Sequence, residues 1–428
     1  MLLKHSLASH INDYSCTWKE GFQLFVPGLS PFAKRHWELS KESYQTRWGH
    51  RTIALIESFP LIGPLASIIE LVVVKIFSTS SERMHELING PIRTNNKLLS
   101  IMKKIVNEKS FHSMDHMRRL FQKINWDRGG IFLQDSVDLL SKYFILPNNK
   151  NYKDQSDPGE LQIYFKDESV EFILSKLKIK HSPNFHLNYC FCRTYSEFET
   201  QLQKLDQSTA ETKISFIVHM PNFSVHYSHI HVEHGKDGTN FFITDSLGKY
   251  HESDGKPNHY SKSIKNTIAQ YFNNENTICY ELKDQRQYDF ACCPIFAIRD
   301  AIVTNRTVEL FKILSENCTE ETSLDVNNLT NENKIKWKWV STLIPDMMRI
   351  SQSSSKIELF KIQNKELLNN YRHKKRGKQG FPMIEESFDQ NVNRHQFKSI
   401  KHKQNKLSEH RFLKYLLMIY VESSKKLF

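Results

Sequence analysis

The chain has 428 residues and a mass of 50.5 kDa, with 39% hydrophobic, 12% aromatic and 25% charged residues. That mix excludes a collagen-like or low-complexity disordered polymer and is enough for two or three domains with buried cores. The formal charge is +12, and the segment 351–428, with 17 Lys and Arg against 7 Asp and Glu, carries +10 of it. An electrostatic tether to an anionic partner therefore belongs to the tail.

Residues 1–146 read as an α-helical N-terminal region. Apolar side chains recur at helical spacing in Leu98, Leu99, Met102, Ile105 and Val106, and again in Val137, Leu139, Leu140 and Phe144. The apolar stretch 53–77 is interrupted by Glu57, Glu70, Lys75, Pro60 and Pro64, which favours a buried helical hairpin over a membrane span. Residues 1–10 hold no apolar run of secretory length, so no classical signal peptide is expected. The polar stretch 147–159 (PNNKNYKDQSDPG) reads as a linker.

The period then changes. Ile214, Phe216 and Val218 alternate with polar or neutral neighbours, 229–234 alternates again, and 240–244 carries Phe242 and Ile243 before Asp245. Between the last two runs stands Asp237-Gly238, a strong hairpin signal, so an antiparallel meander is expected. A helix over 260–272, a strand over 277–281, a polar loop and a helix from Cys293 follow. These elements make 160–305 an α+β core. Residues 306–428 read as a helical, basic C-terminal region whose last helix, 407–421, puts Leu413, Leu416, Leu417 and Tyr420 on one face.

Seven cysteines with no CxxC pair, two of them adjacent (Cys292 and Cys293), indicate a reduced compartment. A thiol attacks a carbonyl as thiolate, and Cys293 stands at the start of a helix that opens with Pro294, where the helix dipole stabilises negative charge. His229 on the expected strand supplies a base. Asp245 on the next strand would lie beside it, each residue being eight positions from Asp237. Gln287, in the loop before the cysteine, brings an amide donor for an oxyanion. Cys292 competes with Cys293 as nucleophile, and His226 and His231 compete with His229 as base. His229 and His231 share a strand face, but no third ligand joins them, and neither a metal nor a cofactor is expected.

The order His, acidic residue, Gln, Cys, with Asp245 inside Thr-Asp-Ser-Leu (244–247) and Cys293 inside QYDFACCPIF (287–296), resembles the clan CE cysteine proteases. That clan includes ubiquitin-like-protein proteases of the SENP and Ulp type and bacterial effectors that are deubiquitinases or YopJ-type acetyltransferases. The resemblance covers roughly residues 165–305. It implies a papain-like/Ulp-like core, a mixed sheet with a helix carrying the cysteine, flanked by α-helical N- and C-terminal regions. In it His229 is the general base, Asp245 its orienter, Gln287 the oxyanion donor and Cys293 the nucleophile. Two positions depart from the SENP pattern: Ile230 stands where Trp is usual and Pro294 where Gly is usual.

The function so implied is a thiol protease that cleaves (iso)peptide bonds after the C-terminus of ubiquitin or a ubiquitin-like modifier, a deubiquitinase effector secreted into the cytosol of a host cell. One alternative is a YopJ-like acetyltransferase using the same His, Asp and Cys with acetyl-CoA, a type in which a basic pocket binds inositol hexakisphosphate. The second alternative is a catalytically inactive binding module. The expected partners are ubiquitin or a ubiquitin-like protein, with an anionic membrane or inositol phosphate contact through the basic C-terminal region. No motif for specific nucleic-acid recognition is present.

Overall fold

The computed structural model describes residues 37, 84, 87–88, 92, 94–108, 112–126, 134–146, 163–181, 187–220, 226–248, 258–289, 292–320, 334–375, 384–393, 396–398 and 403–425. The apolar stretch 53–77 and the linker 147–159 lie outside them. Among the described residues no helix is long and apolar enough to cross a membrane. The chain forms two units, Met1–Gln134 and Asp135–Phe428. In the first, helix α1 (Asn95–Glu108) buries Leu98, Ile101, Met102, Ile105 and Val106 and packs on α2 (Ser113–Trp126). These are the positions that the 3.6-residue period marks as one face, apart from Leu99, which is half-buried.

The helical N-terminal region expected over 1–146 is shorter than its composition indicated. Residues 135–146 belong to the second unit, where Phe144 opens a two-residue strand instead of ending a helix. It pairs antiparallel with Phe165, whose ring stacks on Phe412 at 4.3 Å between centroids.

The second unit is α+β, built on a seven-stranded mixed sheet. Its main elements in chain order are α3 (Asp167–His181), β1 (Tyr189–Cys192), α4 (Tyr195–Asp206), β2 (Thr212–His219), β3 (Tyr227–Gly235), β4 (Gly238–Ile243), α5 (His259–Tyr271), β5 (Thr277–Leu282), α6 (Cys293–Arg306), α7 (Leu310–Glu316), β6 (Thr319–Glu320), β7 (Lys336–Val340), α8 (Ser354–Gln363) and α9 (Leu407–Ser424), with short helices and two-stranded ribbons between them. The strand order is β1-β2-β3-β4-β5-β7-β6. Strands β2, β3 and β4 form the expected meander, and β1, β5 and β7 add parallel neighbours.

Strand alternation sends the two faces to different helices. Phe216, Val218, Ile230, Val232, Phe241 and Ile243 pack against Phe198, Leu202, Ile264 and Ile268 of α4 and α5. On the other face Phe242 and Tyr280 meet Val303, Leu310, Phe311 and Leu314 of α6 and α7. The C-terminal region is not wholly helical. Lys336–Val340 is an interior strand between β5 and β6, so the sheet does not end near residue 305. The run Ile335-Lys336-Trp337-Lys338-Trp339-Val340 alternates as a strand should, with Trp337 and Val340 buried on opposite faces.

Helix α6 is buried over Cys293–Thr304. One of its anchors is an ion pair with no solvent exposure at either end: the Arg286 guanidinium donates to Asp300 Oδ1 at 2.9 Å and Oδ2 at 2.5 Å and reaches the Thr244 carbonyl at 3.3 Å. Removing one partner of such a pair strands the other charge, whereas replacing both by apolar groups is often tolerated. Arg286→Met is therefore expected to lower the free energy of unfolding by about 3–5 kcal/mol in urea titration, and Arg286→Met/Asp300→Leu to recover most of that loss.

Candidate active site

The site lies where the C-terminal end of β4 and the start of β3 approach the first turn of α6. The β3–β4 turn closes on the pair Gly235 and Gly238, leaving Lys236 and Asp237 as its two central residues. Gly238 has φ +138°, and a Cβ there would stand 2.2 Å from the Asn276 carbonyl oxygen, so the position needs glycine. This turn pairs Ile230 with Ile243, and the Thr244 amide donates to the His229 carbonyl at 2.9 Å.

The register separates the expected base, His229, from the expected acid, Asp245. His229 lies across from Thr244 rather than from Asp245, because the centre of the hairpin falls between residues 236 and 237, not on 237. A one-residue shift reverses the face. His229 Nδ1 sits 2.7 Å from Thr244 Oγ1 and Nε2 3.5 Å from Thr304 Oγ1, under α6. His231, two residues on, is hydrogen-bonded through Nδ1 to Ser215 Oγ at 2.9 Å. Burial, then the neighbouring His231 and Arg286 charges, holds the His229 imidazole well below its ordinary pKa.

His226 is the histidine that meets Asp245. Its Nε2 lies 2.8 Å from Asp245 Oδ2. Residues 226 and 228 share a face, and residue 228 is opposite 245, so Ser228 Oγ also donates to Asp245 Oδ2 at 2.5 Å. The Leu247 amide donates to Asp245 Oδ1 at 2.9 Å. The His226 ring stacks on Tyr260 of α5, 4.1 Å between centroids. Burial opposes the charged imidazolium, but Asp245 and a side-chain hydrogen bond with Cys293 outweigh it and raise the His226 pKa well above its ordinary value. Burial likewise opposes ionised Asp245, while His226, Ser228 and the Leu247 amide hold its pKa low. The thiol, the imidazole and the carboxylate thus form one connected line.

The two adjacent cysteines differ in surroundings. Cys293 is the first residue of α6 and Pro294 the second, where its missing N–H breaks no helical bond. Cys292 is the residue before the helix and is fully buried; burial, then the Asp289 and Glu409 charges, pushes its thiol pKa well up. The Cys292 amide donates to Asp289 Oδ1 at 2.9 Å, which fixes the approach to the helix start.

Gln287 is in the loop that leads to Cys292. Its Oε1 accepts from Ser246 Oγ at 2.7 Å, its Nε2 donates to the Asp289 carbonyl at 2.6 Å, and its backbone amide donates to the Ser246 carbonyl at 3.0 Å. These bonds tie the loop to the residue after Asp245. Gly248, at φ +73°, lets the 245–248 turn lie against the 283–285 backbone, since a Cβ there would stand 2.6 Å from Gln285 N and Lys283 O. Among the described residues no group of three or more His, Cys, Asp and Glu is arranged to hold a metal ion.

A second polar cluster gathers around Asp346. Its Oδ1 lies 3.1 Å from Arg299 Nη2 and 2.8 Å from Arg349 Nε, and it accepts from the Tyr371 hydroxyl at 2.9 Å. Arg411 of α9 is close enough that burial and the Arg299 and Arg349 charges lower its pKa to about 9. Arg349 is lowered to about 10 by burial and then by Arg299, and His373 to about 4 by burial and then by Arg349. The Nε atoms of Arg299 and Arg411 are buried and without hydrogen-bond partners.

No protein-family model and no curated protein matches the chain. Similar solved structures include AvrA delL154 with IP6 and CoA, at 12% identity and a TM-score of 0.43, over 59% of this chain and 87% of that one. HopZ1a in complex with IP6 matches at 11% identity and a TM-score of 0.43, over 60% of this chain and 85% of that one. HopZ1a in complex with IP6 and CoA matches at 10% identity and a TM-score of 0.41, over 78% of this chain and 100% of that one.

The two histidines are separated by experiment. Iodoacetamide alkylation of Cys293 at neutral pH, followed by peptide mass spectrometry, is expected to slow by about 10²-fold or more in His226→Asn, the scale of a lost general base. In His229→Asn it should stay near the wild-type rate. The folded-state pKa of His229 is below the unfolded value of about 6.5, so the unfolded chain gains the proton first on acidification. The stability that His229 contributes is present above pH about 6.5 and is lost as pH falls toward its folded pKa. Thermal unfolding between pH 7 and 5 should therefore show a smaller loss for His229→Asn than for the wild type.

Proposed function

We propose that the protein is a cysteine acyltransferase of the clan CE type, a bacterial effector that takes an acetyl group from acetyl-CoA and passes it to a hydroxyl or amine on a host protein. The observation that carries this reading is His226, set between Asp245 at 2.8 Å and the Cys293 thiol at the first turn of α6. In the reaction, the Cys293 sulfur attacks the thioester carbonyl and His226 holds the thiol proton. The coenzyme A thiolate leaves and takes that proton. The acceptor hydroxyl or amine then attacks the Cys293 thioester, its proton moves to His226 Nδ1, the nitrogen not engaged by Asp245, and the Cys293 thiolate is regenerated. Asp245 keeps the imidazole oriented and stabilises its charge. In this reading the Cys293 amide at the α6 N-terminus takes the oxyanion, with the Gln287 side chain, whose Nε2 also donates to the Asp289 carbonyl, as the second donor.

The choice of acyl transfer over ubiquitin hydrolysis is supported by the cluster at Asp346. Two guanidiniums, those of Arg299 and Arg349, share this carboxylate, Arg411 lies within reach of their charges, and the buried Nε–H groups of Arg299 and Arg411 lack acceptors. Buried positive charge of this kind is costly unless an anion joins it. A phosphate offers the missing acceptors, and Arg299, Arg349 and Arg411 would hold an inositol polyphosphate, the activator of YopJ-type enzymes, by multidentate hydrogen bonds. The role first given to the Lys-rich tail thus falls to buried arginines.

Incubation with radiolabelled acetyl-CoA and inositol hexakisphosphate is expected to give a hydroxylamine-labile label on Cys293, absent in Cys293→Ala and His226→Asn. The polyphosphate should raise the melting temperature of the wild type and not of Arg349→Gln/Arg411→Gln. Covalent capture of Cys293 by ubiquitin, SUMO or NEDD8 bearing a C-terminal electrophile, with no acetyl label, would overturn acyl transfer in favour of the isopeptidase.

A further inference from the structure

One buried side chain that belongs neither to the line of reacting groups nor to the arginine cluster touches the supports of both. Gln352 lies twelve residues past the end of β7 and is 8% exposed. Its Oε1 accepts two successive backbone amides of the nucleophile loop, Tyr288 N at 2.5 Å and Asp289 N at 3.1 Å. Its Nε2 donates to Asp289 Oδ2 and, at 3.1 Å, to Ser408 Oγ of α9. Its backbone amide donates to the Arg286 carbonyl at 2.9 Å, and its carbonyl accepts from Asn405 N at 3.3 Å. Both ends of the side-chain amide are therefore used on one loop, and the orientation is fixed, since the carbonyl end faces amides and the NH₂ end faces a carboxylate.

The Asp289 carboxylate passes the constraint on. Its other oxygen receives the Cys292 amide, one residue before the nucleophile. On the opposite side, Asn405 Nδ2 donates to the Arg349 carbonyl at 2.6 Å and to the Ser351 carbonyl at 2.9 Å. A continuous set of hydrogen bonds thus runs from the backbone of Arg349, in the arginine cluster, through Asn405 and Gln352 to Asp289 and the start of α6.

We propose that Gln352 is a positioning residue for the acyl-transfer step, the link through which the C-terminal segment sets the placement of Cys293 and the loop that carries Gln287. The proposal rests on the reading of Cys293 as nucleophile. It requires both functions of the amide: an acceptor for the two loop amides and a donor to Asp289. A carboxylate in its place keeps the first and loses the second, and adds a like charge beside Asp289. Once protonated, the same carboxyl regains a donor and resembles the amide. Its pKa is raised by burial and by Asp289, so the regain comes as pH falls.

The test is the rate of Cys293 alkylation by iodoacetamide from pH 5.5 to 8.5, each variant divided by wild type at the same pH, with melting temperature measured in parallel. Gln352→Leu is expected to fall about tenfold at every pH, the scale of a misplaced reacting group. Gln352→Glu is expected to match it at pH 8.5 and to rise toward wild type at pH 5.5. Ile357→Ala, which thins the core of α8 away from the loop, is expected to lower the melting temperature and keep a ratio near one. If Gln352→Leu does not fold, the pH-dependent recovery of Gln352→Glu decides alone. A flat ratio near one for Gln352→Glu, with wild-type Cys293 reacting normally, overturns the proposal and leaves the nucleophile intact. Wild-type Cys293 reacting no faster than Cys318 would overturn the nucleophile reading, and the proposal with it.

Discussion

The buried pair of Arg286 and Asp300 is the constraint on which the site depends. It crosses from the loop that precedes the cysteines to the second turn of the helix that follows them, so the 286–293 segment is held at both ends by one interaction. The same residue bonds along its backbone as well: its amide donates to the Ser246 carbonyl at 2.8 Å and its carbonyl accepts from Gln352. Its guanidinium touches the carbonyl of Thr244, the residue before Asp245. A charge with no access to water cannot relax into solvent, and its partners are therefore fixed in number and direction. The residue before Asp245, the loop and the second turn of α6 are thereby tied to one buried guanidinium.

Two histidines three residues apart on one strand show how position alone decides chemistry. His226 and Ser228 project on the α5 face at the end of the sheet, beside a carboxylate, and His226 is driven toward the charged form. His229 and His231 project on the α6 face among hydroxyls and a guanidinium, where burial drives both toward the neutral form. The neutral pair serves the packing of α6 on β2 and β3. Strand parity separates an imidazole held in the charged form beside a carboxylate from two held neutral among hydroxyls, with no change in residue type.

Much of this architecture was legible in the sequence because it is local. Alternation marked β2 to β4, the Asp-Gly pair marked their hairpin, and Cys293-Pro294 marked the start of α6. Which histidine meets Asp245 was not legible at the level of composition, because it turns on half a residue in the position of the hairpin centre. Closing the turn at Gly235 and Gly238 places 228 opposite 245, and then His226 follows by parity; the glycine at each end of Lys236-Asp237 was the available signal. Strand β7 was hidden by the helical and polar composition around it, although Trp337 and Val340 alternate. Gln352 and the Asp346 cluster had no sequence signal. The side-chain partners of Gln352 lie 56 to 64 residues away, and Arg299 reaches Asp346 from another element, so these bonds exist only once α6, α9 and the 286–292 loop have met.

The connection between the arginine cluster and the nucleophile loop gives physical content to control by an anion. A ligand shifts an equilibrium only as far as its affinity differs between two states. With no anion, Arg299, Arg349 and Arg411 repel one another, and this repulsion adds to burial in lowering the pKa values of Arg349 and Arg411. Separating the segments that carry them, around residues 299, 349 and 411, relieves this repulsion. Asn405 and Ser408 stand on the chain just before Arg411, and Gln352 stands three residues after Arg349, so the same separation draws both ends of the hydrogen-bond set away from Asp289. On the proposed reading, a polyphosphate would remove the repulsion and bind well only when the three arginines converge. On the proposed reading, its affinity for the converged state is therefore also a force that keeps Gln352 on the loop and Cys293 in line with His226. The coupling needs no contact between the anion and the reacting groups, and by linkage a thioester that favours the ordered loop must tighten the hold on the anion in turn.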